Sequence, residues 1–244
     1  MDRRNFLRAV ALGGAAFAIK DTDAMSIMTQ SFAADGRIAT KYDLVAVMGG
    51  EPEIMFRKAI AEMGGMAKFI KKGDKVVVKP NIGWDKAPEL AANTNPKLVA
   101  EIIKQCFSAG AKEVTVFDHT CDDWRKCYKN SGIEAAAKAA GAKVVPADQG
   151  SYYKQVSIPN GKKLTKAQIH EAIVDCDKWI NVPILKNHGG AQLTMSMKNY
   201  MGIVWDRGFF HANDLQQCIA DVCTYEKRPV LNVVDAYRMK ERDL

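Results

Sequence analysis

Short apolar and β-branched runs recur along the chain, each followed by a stretch rich in Ala, Lys and Glu, and this alternation predicts strands separated by helices. Leu44-Val45-Ala46-Val47-Met48 reads as a first strand, after which Gly49-Gly50 and Pro52 turn the chain into a helix over residues 53–63. Lys75-Val76-Val77-Val78 is a second strand, and its continuous apolar run is of the kind covered on both faces of a sheet. A loop over 80–95 leads to a helix opened by Asn95-Pro96 and closed by Gly110. Residues 113–117 form a third strand, 132–140 a helix ended by Gly141, and Lys143-Val144-Val145 a short fourth strand.

Residues 150–170 break the rhythm. Tyr153-Lys154-Gln155-Val156-Ser157-Ile158 alternates polar with apolar and Pro159-Asn160-Gly161-Lys162 is a turn, which predicts an antiparallel hairpin at an edge or in an insertion. The core pattern resumes over 179–185, a helix is expected over 213–224, and a last strand over 230–234. Strands alternating with helices give an α/β fold: a mostly parallel sheet with helices on both faces and a small β-hairpin insertion.

With 48% hydrophobic and 26% charged residues, composition gives no sign of disorder or of a membrane-embedded body. A length of 244 residues suits a single α/β domain, here residues 34–244, with an N-terminal segment before it. That segment, 1–33, starts Asp2-Arg3-Arg4-Asn5-Phe6-Leu7-Arg8 and continues with an uncharged small and apolar stretch over 9–19. Paired arginines before Phe-Leu and an apolar run resemble a twin-arginine export signal. The resemblance implies the twin-arginine export machinery as a partner and a periplasmic or otherwise exported destination. Cleavage after Ala18 or after Ala33 fits the small-residue rule equally. The apolar part is about half of the ~20 residues a bilayer span requires, so no stable membrane span is expected.

The formal charge of +7 includes four basic residues against three aspartates in the first 33 positions, which leaves +6 on the remainder. Its lysines are scattered (Lys68, Lys71, Lys72, Lys104, Lys138, Lys162, Lys163) and no Arg-rich arm or aromatic-interleaved patch occurs, so nucleic acid is not the expected partner. In an oxidising compartment the six cysteines invite at most one or two disulfides, with Cys121 and Cys127 or Cys218 and Cys223 the closest in sequence. None has Cys-x-x-Cys spacing, so no iron–sulfur cluster is expected in this chain.

Ligands of open parallel sheets bind outside the carboxyl ends of the strands. Applied here, that rule collects Lys79 and Asn81 after the second strand, Asp118 and His119 after the third, Lys186 and His188 after 179–185, and Asp235 after 230–234. Each has a duller reading: a strand-end Asp often caps the next helix, and a lone His is commonly a hydrogen-bonded loop residue. Their convergence on one rim favours a site. Gly189-Gly190 permits close backbone approach, Ser196 is a helix-cap candidate, and Lys198 with Asn199 adds charge and hydrogen-bonding capacity. His188 with His211 would serve a divalent metal, with Asp118 or Asp235 as oxygen donor, although such scattered spacing is weak support for one.

Val-Val-Lys-Pro-Asn (77–81), Thr94-x-Pro96, Gly110-Ala111 with the strand ending at Asp118, Pro-x-Leu-Lys-x-His (183–188), Ser-x-Lys-Asn-x-x-Gly (196–202), His211 and Val-Asp-Ala (234–236) together resemble the bacterial and archaeal family called domain of unknown function 362. The resemblance spans about residues 42–236. It implies an α/β domain, sometimes joined in relatives to ferredoxin-type iron–sulfur modules, and supplies no reaction. Relatives continue beyond Asp235-Ala236, so a C-terminally truncated domain is expected. The functional expectation is an enzyme or enzyme-like binder of a small anionic ligand, a carboxylate or phosphate. Catalytic roles fall to His188, Lys186 and Asp118, and ligand contacts to Lys79, Asn81, His119, Lys198, Asn199 and Asp235. The alternative is a non-catalytic metal- or redox-associated accessory protein of iron–sulfur partners.

Overall fold

A computed structural model describes residues 42–238, so the export-signal motif lies outside the described residues. Five strands form the central sheet: β1 (Lys75–Pro80), β2 (Glu113–Val116), β3 (Lys143–Val144), β6 (Lys178–Val182) and β9 (Leu231–Asn232). Their order is β3-β2-β1-β6-β9, and each neighbouring pair is parallel. Two antiparallel hairpins are added, β4 (Tyr153–Ser157) with β5 (Lys166–His170) and β7 (Lys186–His188) with β8 (Gln192–Thr194). The helices are α1 (Pro52–Glu62), α2 (Pro96–Ser108), α3 (Trp124–Asn130), α4 (Ile133–Ala139), α5 (Glu171–Asp175), α6 (Ser196–Asn199), α7 (Gly208–Ala212) and α8 (Leu215–Val222).

Strand alternation divides the interior into two cores. Val76 and Val78 of β1, Val114 and Val116 of β2, and Ile180 and Val182 of β6 pack with α1, α2, α3 and α4 on one face. Val77 and Trp179 point to the opposite face, where the β4–β5 hairpin, α5, residues 200–204 and α8 cover them. A sheet covered on both faces explains the unbroken Val-Val-Val run of β1.

Local signals act as expected in α2. The Asn95 side chain accepts from Lys97 N at 2.9 Å and Pro96 opens the helix. Leu98, Val99, Ile102, Ile103 and Cys106 recur at helical spacing and are all buried. Gly110 takes φ +96° beyond the helix end, where an added Cβ would come within 3.1 Å of Lys72 Cα.

Three local expectations change. Residues 44–48 form no strand: Leu44 and Met48 are 70% and 71% exposed, and no described strand pairs with them. An apolar run becomes a strand only when a neighbour takes its N–H and C=O groups. The short helix α3 follows β2 where the sequence pattern predicts none; it is capped by Asp123, whose side chain accepts from Lys126 N. All six cysteines are free, and Cys127 is buried while Cys121 is exposed, so neither pair close in sequence is bridged. Among the described residues no helix is long and apolar enough to cross a membrane.

Candidate functional site

The chain runs from β1 outward to β2 and β3, then returns to the other side of β1 for β6 and β9. That reversal is a topological switch point, where loops diverge and leave a crevice beyond the carboxyl ends of the strands. A cleft of about 440 Å³ open to solvent occupies the position. Its wall includes Lys79 and Asn81 after β1, Asp118 and His119 after β2, Lys186 and His188 of β7, and Lys198 and Asn199 of α6.

The floor is a buried ion pair. Lys79 is completely buried, and its Nζ lies 2.7 Å from Asp118 Oδ1 and donates to Asn199 Oδ1 at 2.9 Å. The other carboxylate oxygen of Asp118 accepts from Ile82 N at 2.6 Å, and the amide of Asp118 donates to Tyr128 Oη at 2.7 Å. Burial pulls the Lys79 ammonium below its ordinary range and Asp118 pulls it back. Asn199 Nδ2 donates in turn to Asn181 Oδ1, and Asn181 Nδ2 donates to Asn232 Oδ1, so the strand ends of β1, β2, β6 and β9 share one polar network. Lys186 Nζ donates to Asn81 Oδ1 at 2.8 Å and to the carbonyl of Ala92. Ala92 follows Ala91, whose left-handed φ of 48° is a strained conformation for a residue with a Cβ.

Gly202 lies directly on this pair. A Cβ there would sit 1.9 Å from Asp118 Oδ1 and 2.4 Å from Lys79 Nζ. Only a residue without a side chain admits the pair, which gives the glycine of Ser-x-Lys-Asn-x-x-Gly a steric reason.

The two cleft histidines are held in opposite tautomers. His119 Nδ1 donates to Val204 O at 2.9 Å, so in the neutral ring Nε2 is the basic nitrogen. His119 stacks on Trp205 at 5.1 Å, and burial followed by Arg207 holds it below the usual histidine range. His188 Nδ1 accepts from Ala191 N at 3.0 Å, which leaves the proton on Nε2. Burial, Lys198, Lys186 and His211 all lower its proton affinity. Near neutral pH the cleft therefore offers one imidazole acceptor and one imidazole donor.

The remaining charge is cationic. Lys198 is half-buried and its ammonium makes no hydrogen bond or ion pair with a described residue; burial is the main cause of its lowered proton affinity. Arg207 donates to the carbonyls of His119 at 3.0 Å and Thr120 at 2.6 Å, and to Cys121 Sγ at 3.6 Å. Four cationic side chains thus line the cleft with Asp118 as the only lining carboxylate among the described residues. Thr194, also in the wall and 3% exposed, has a buried hydroxyl without a hydrogen-bond partner among the described residues.

Of the residues expected at the site, Lys79, Asn81, Asp118, His119, Lys186, His188, Lys198 and Asn199 come together in the cleft, while Asp235 and His211 do not line it. The Asp235 carboxylate accepts from Asn95 N at 2.7 Å and Tyr237 N at 3.1 Å, tying β9 to the start of α2. His211 is exposed on α7. Among the described residues no group of three or more His, Cys, Asp or Glu is placed to hold a metal ion. Trp84, Cys121, Thr194, Met201 and Arg207 line the cleft unforeseen. Cys121 shares a loop with Asp118 and His119, and that proximity is a usable signal; Arg207 comes after a turn rather than a strand and carries none.

Fold and site together define an α/β domain of the covered parallel-sheet class with a cationic cleft at its switch point. The chain belongs to the family Domain of unknown function (DUF362), whose profile matches residues 76–243. It is 31% identical over 148 residues to a thylakoid-associated protein of Synechocystis sp. (strain ATCC 27184 / PCC 6803 / Kazusa), an alignment covering 61% of this chain and 44% of that protein. The fold is similar to that of the lactate racemase apoprotein from Thermoanaerobacterium thermosaccharolyticum, with a TM-score of 0.50, 16% identity, and coverage of 75% of this chain and 49% of that one. The chain thus spans less than half the length of either protein.

Proposed function

We propose that this domain is an exported enzyme or enzyme-like binder that takes a small anionic ligand, a carboxylate or phosphate, into the cleft beyond β1, β2 and β6. The observation that carries the reading is Lys198: a half-buried ammonium without a described partner, in a wall where cations outnumber carboxylates. Holding an unpaired charge out of water is unfavourable, and an anion would relieve it. Lys186 and Arg207 extend the positive field, and the Thr194 hydroxyl supplies a further donor. The buried Lys79–Asp118 pair fixes the floor rather than meeting the ligand as a free charge. His119 Nε2 as proton acceptor and His188 Nε2–H as donor supply general acid and base groups for a ligand bound between them. Export rests on Arg3-Arg4 and the apolar stretch after them.

The test is calorimetric titration of the purified chain with acetate, inorganic phosphate and larger carboxylates, against Lys198→Met. Loss of a charge-assisted contact weakens anion binding by about tenfold or more. The melting temperature of the variant stays the same or rises, because a poorly solvated charge is removed. Unchanged affinity in Lys198→Met would refute the reading.

A further inference from the structure

The cleft has one apolar feature that anion recognition does not require. Trp84 lines its wall and is 40% exposed. A single exposed apolar side chain on open surface needs no reason, but this indole, with a large apolar area to offer, is part of the wall of the cationic cleft. The backbone beneath it is fixed. Trp84 N donates to Asn93 Oδ1 at 3.0 Å and Asn93 Nδ2 donates back to Trp84 O at 2.8 Å, so one buried asparagine grips both backbone groups. Lys86 N also donates to Trp84 O at 2.9 Å. Next to it, Gly83 O accepts from Cys121 N at 2.8 Å, joining this loop to the loop after β2. The loop is therefore built to hold its position, with the indole on the cleft side.

We propose that Trp84 is a platform for a planar apolar body on the ligand, so that the cleft takes anions carrying an aromatic or conjugated group rather than bare small anions. This rests on the anion reading above and extends it. The cleft is open to solvent, so its occupant can extend beyond an anionic group the size of acetate or phosphate. In such a ligand the anionic group meets Lys198 while the ring lies against the indole. A rigid aromatic anchor beside a few placed polar groups is the usual composition of small-molecule sites.

The probes are acetate, 2-naphthoate and the neutral 2-naphthamide, titrated calorimetrically into the full chain and into Trp84→Ala, Trp84→Phe and Lys198→Met. The expected result is 2-naphthoate binding at least about tenfold more tightly than acetate, the scale of one stacking contact. Trp84→Ala loses that preference but keeps its acetate affinity, and Trp84→Phe retains most of the preference. Because Trp84 is substantially exposed, Trp84→Ala should melt within a few degrees of the parent. If 2-naphthoate gains nothing over acetate, or if Trp84→Ala keeps the full gain, the platform is overturned. If 2-naphthoate and 2-naphthamide bind alike and Lys198→Met alters neither, the platform stands and the anion reading falls. If none of the three binds, both fall.

Discussion

Replacing Gly202 by Ala tests whether the cleft floor is as tightly built as its geometry implies. The new methyl carbon would lie 1.9 Å from Asp118 Oδ1, 2.4 Å from Lys79 Nζ and 2.8 Å from Lys79 Cε, far inside van der Waals contact. Both partners are buried and cannot swing into water: Lys79 is 0% and Asp118 2% exposed. Asp118 is pinned through Ile82 N and Tyr128 Oη, and Lys79 through Asn199. The strain must separate the ion pair or displace the turn at Tyr200–Ile203. Overpacking alone costs about 1–3 kcal/mol and breaking a buried pair about 3–5 kcal/mol. We expect a loss of about 3–5 kcal/mol in urea unfolding, and for a domain of this size a melting temperature lower by about 6–20 °C. The shift reaches the site as well, because Gly202 O accepts from His119 N at 3.1 Å. Gly189→Ala is the control, since a Cβ there meets nothing within 4 Å and φ is not in the left-handed region. A Gly202→Ala protein within about 1 kcal/mol of the parent would refute the claim that the glycine is required by the pair.

Two further outcomes concern other parts of the chain. His170 is buried, stacks on Phe117, donates from Nε2 to Pro146 O and accepts from Ala172 N, and burial holds it down to about 4 from 6.5. Its proton affinity is lower folded than unfolded, so the stability tied to its neutral form is complete above pH 6.5. That contribution of about 3 kcal/mol is lost as pH falls towards 4. Urea unfolding from about pH 7 to 4 should show the decline, and His170→Asn should flatten it; an equal slope in the variant excludes His170 as the cause. The proposed export predicts that replacing Arg3 and Arg4 by Lys retains the chain in the cytoplasm, and a fraction outside the cytoplasm that stays unchanged, or is absent in the parent, would remove the basis for that proposal.

How far sequence reading succeeded depended on whether a signal was local. Asn95-Pro96 and Gly110 mark the ends of α2 because capping and left-handed φ are properties of a few adjacent residues. The Val76, Val77 and Val78 run announces a doubly covered strand because every one of its side chains is buried. The run over 44–48 carries equally good strand residues, yet its fate turns on a pairing partner its own sequence does not specify. Trp124 to Asn130 is too short and too polar to announce a helix by periodicity, and Asp123 is its one local sign.

The rim divides in the same way. Lys79, Asn81, Asp118, His119, Lys186 and His188 could be collected from sequence because each comes just after an apolar run, and parallel strands deliver the residues at their carboxyl ends to one edge of the sheet. By itself the sequence determined which side chains that edge could receive. Tertiary structure decided what each one does there. It buried Lys79 against Asp118 as a floor, left Lys198 without a described partner, and turned Asp235 into a tie between β9 and α2. It also brought in Arg207 from a segment that carries no strand-end signal, and fixed Trp84, further along the loop after β1, at the cleft wall. The reason is physical: strand and helix propensities act over a few neighbouring residues, whereas the state of a lysine is set by distance, burial and charge among groups separated by 39 to 120 positions, as Lys79 is from Asp118 and Asn199.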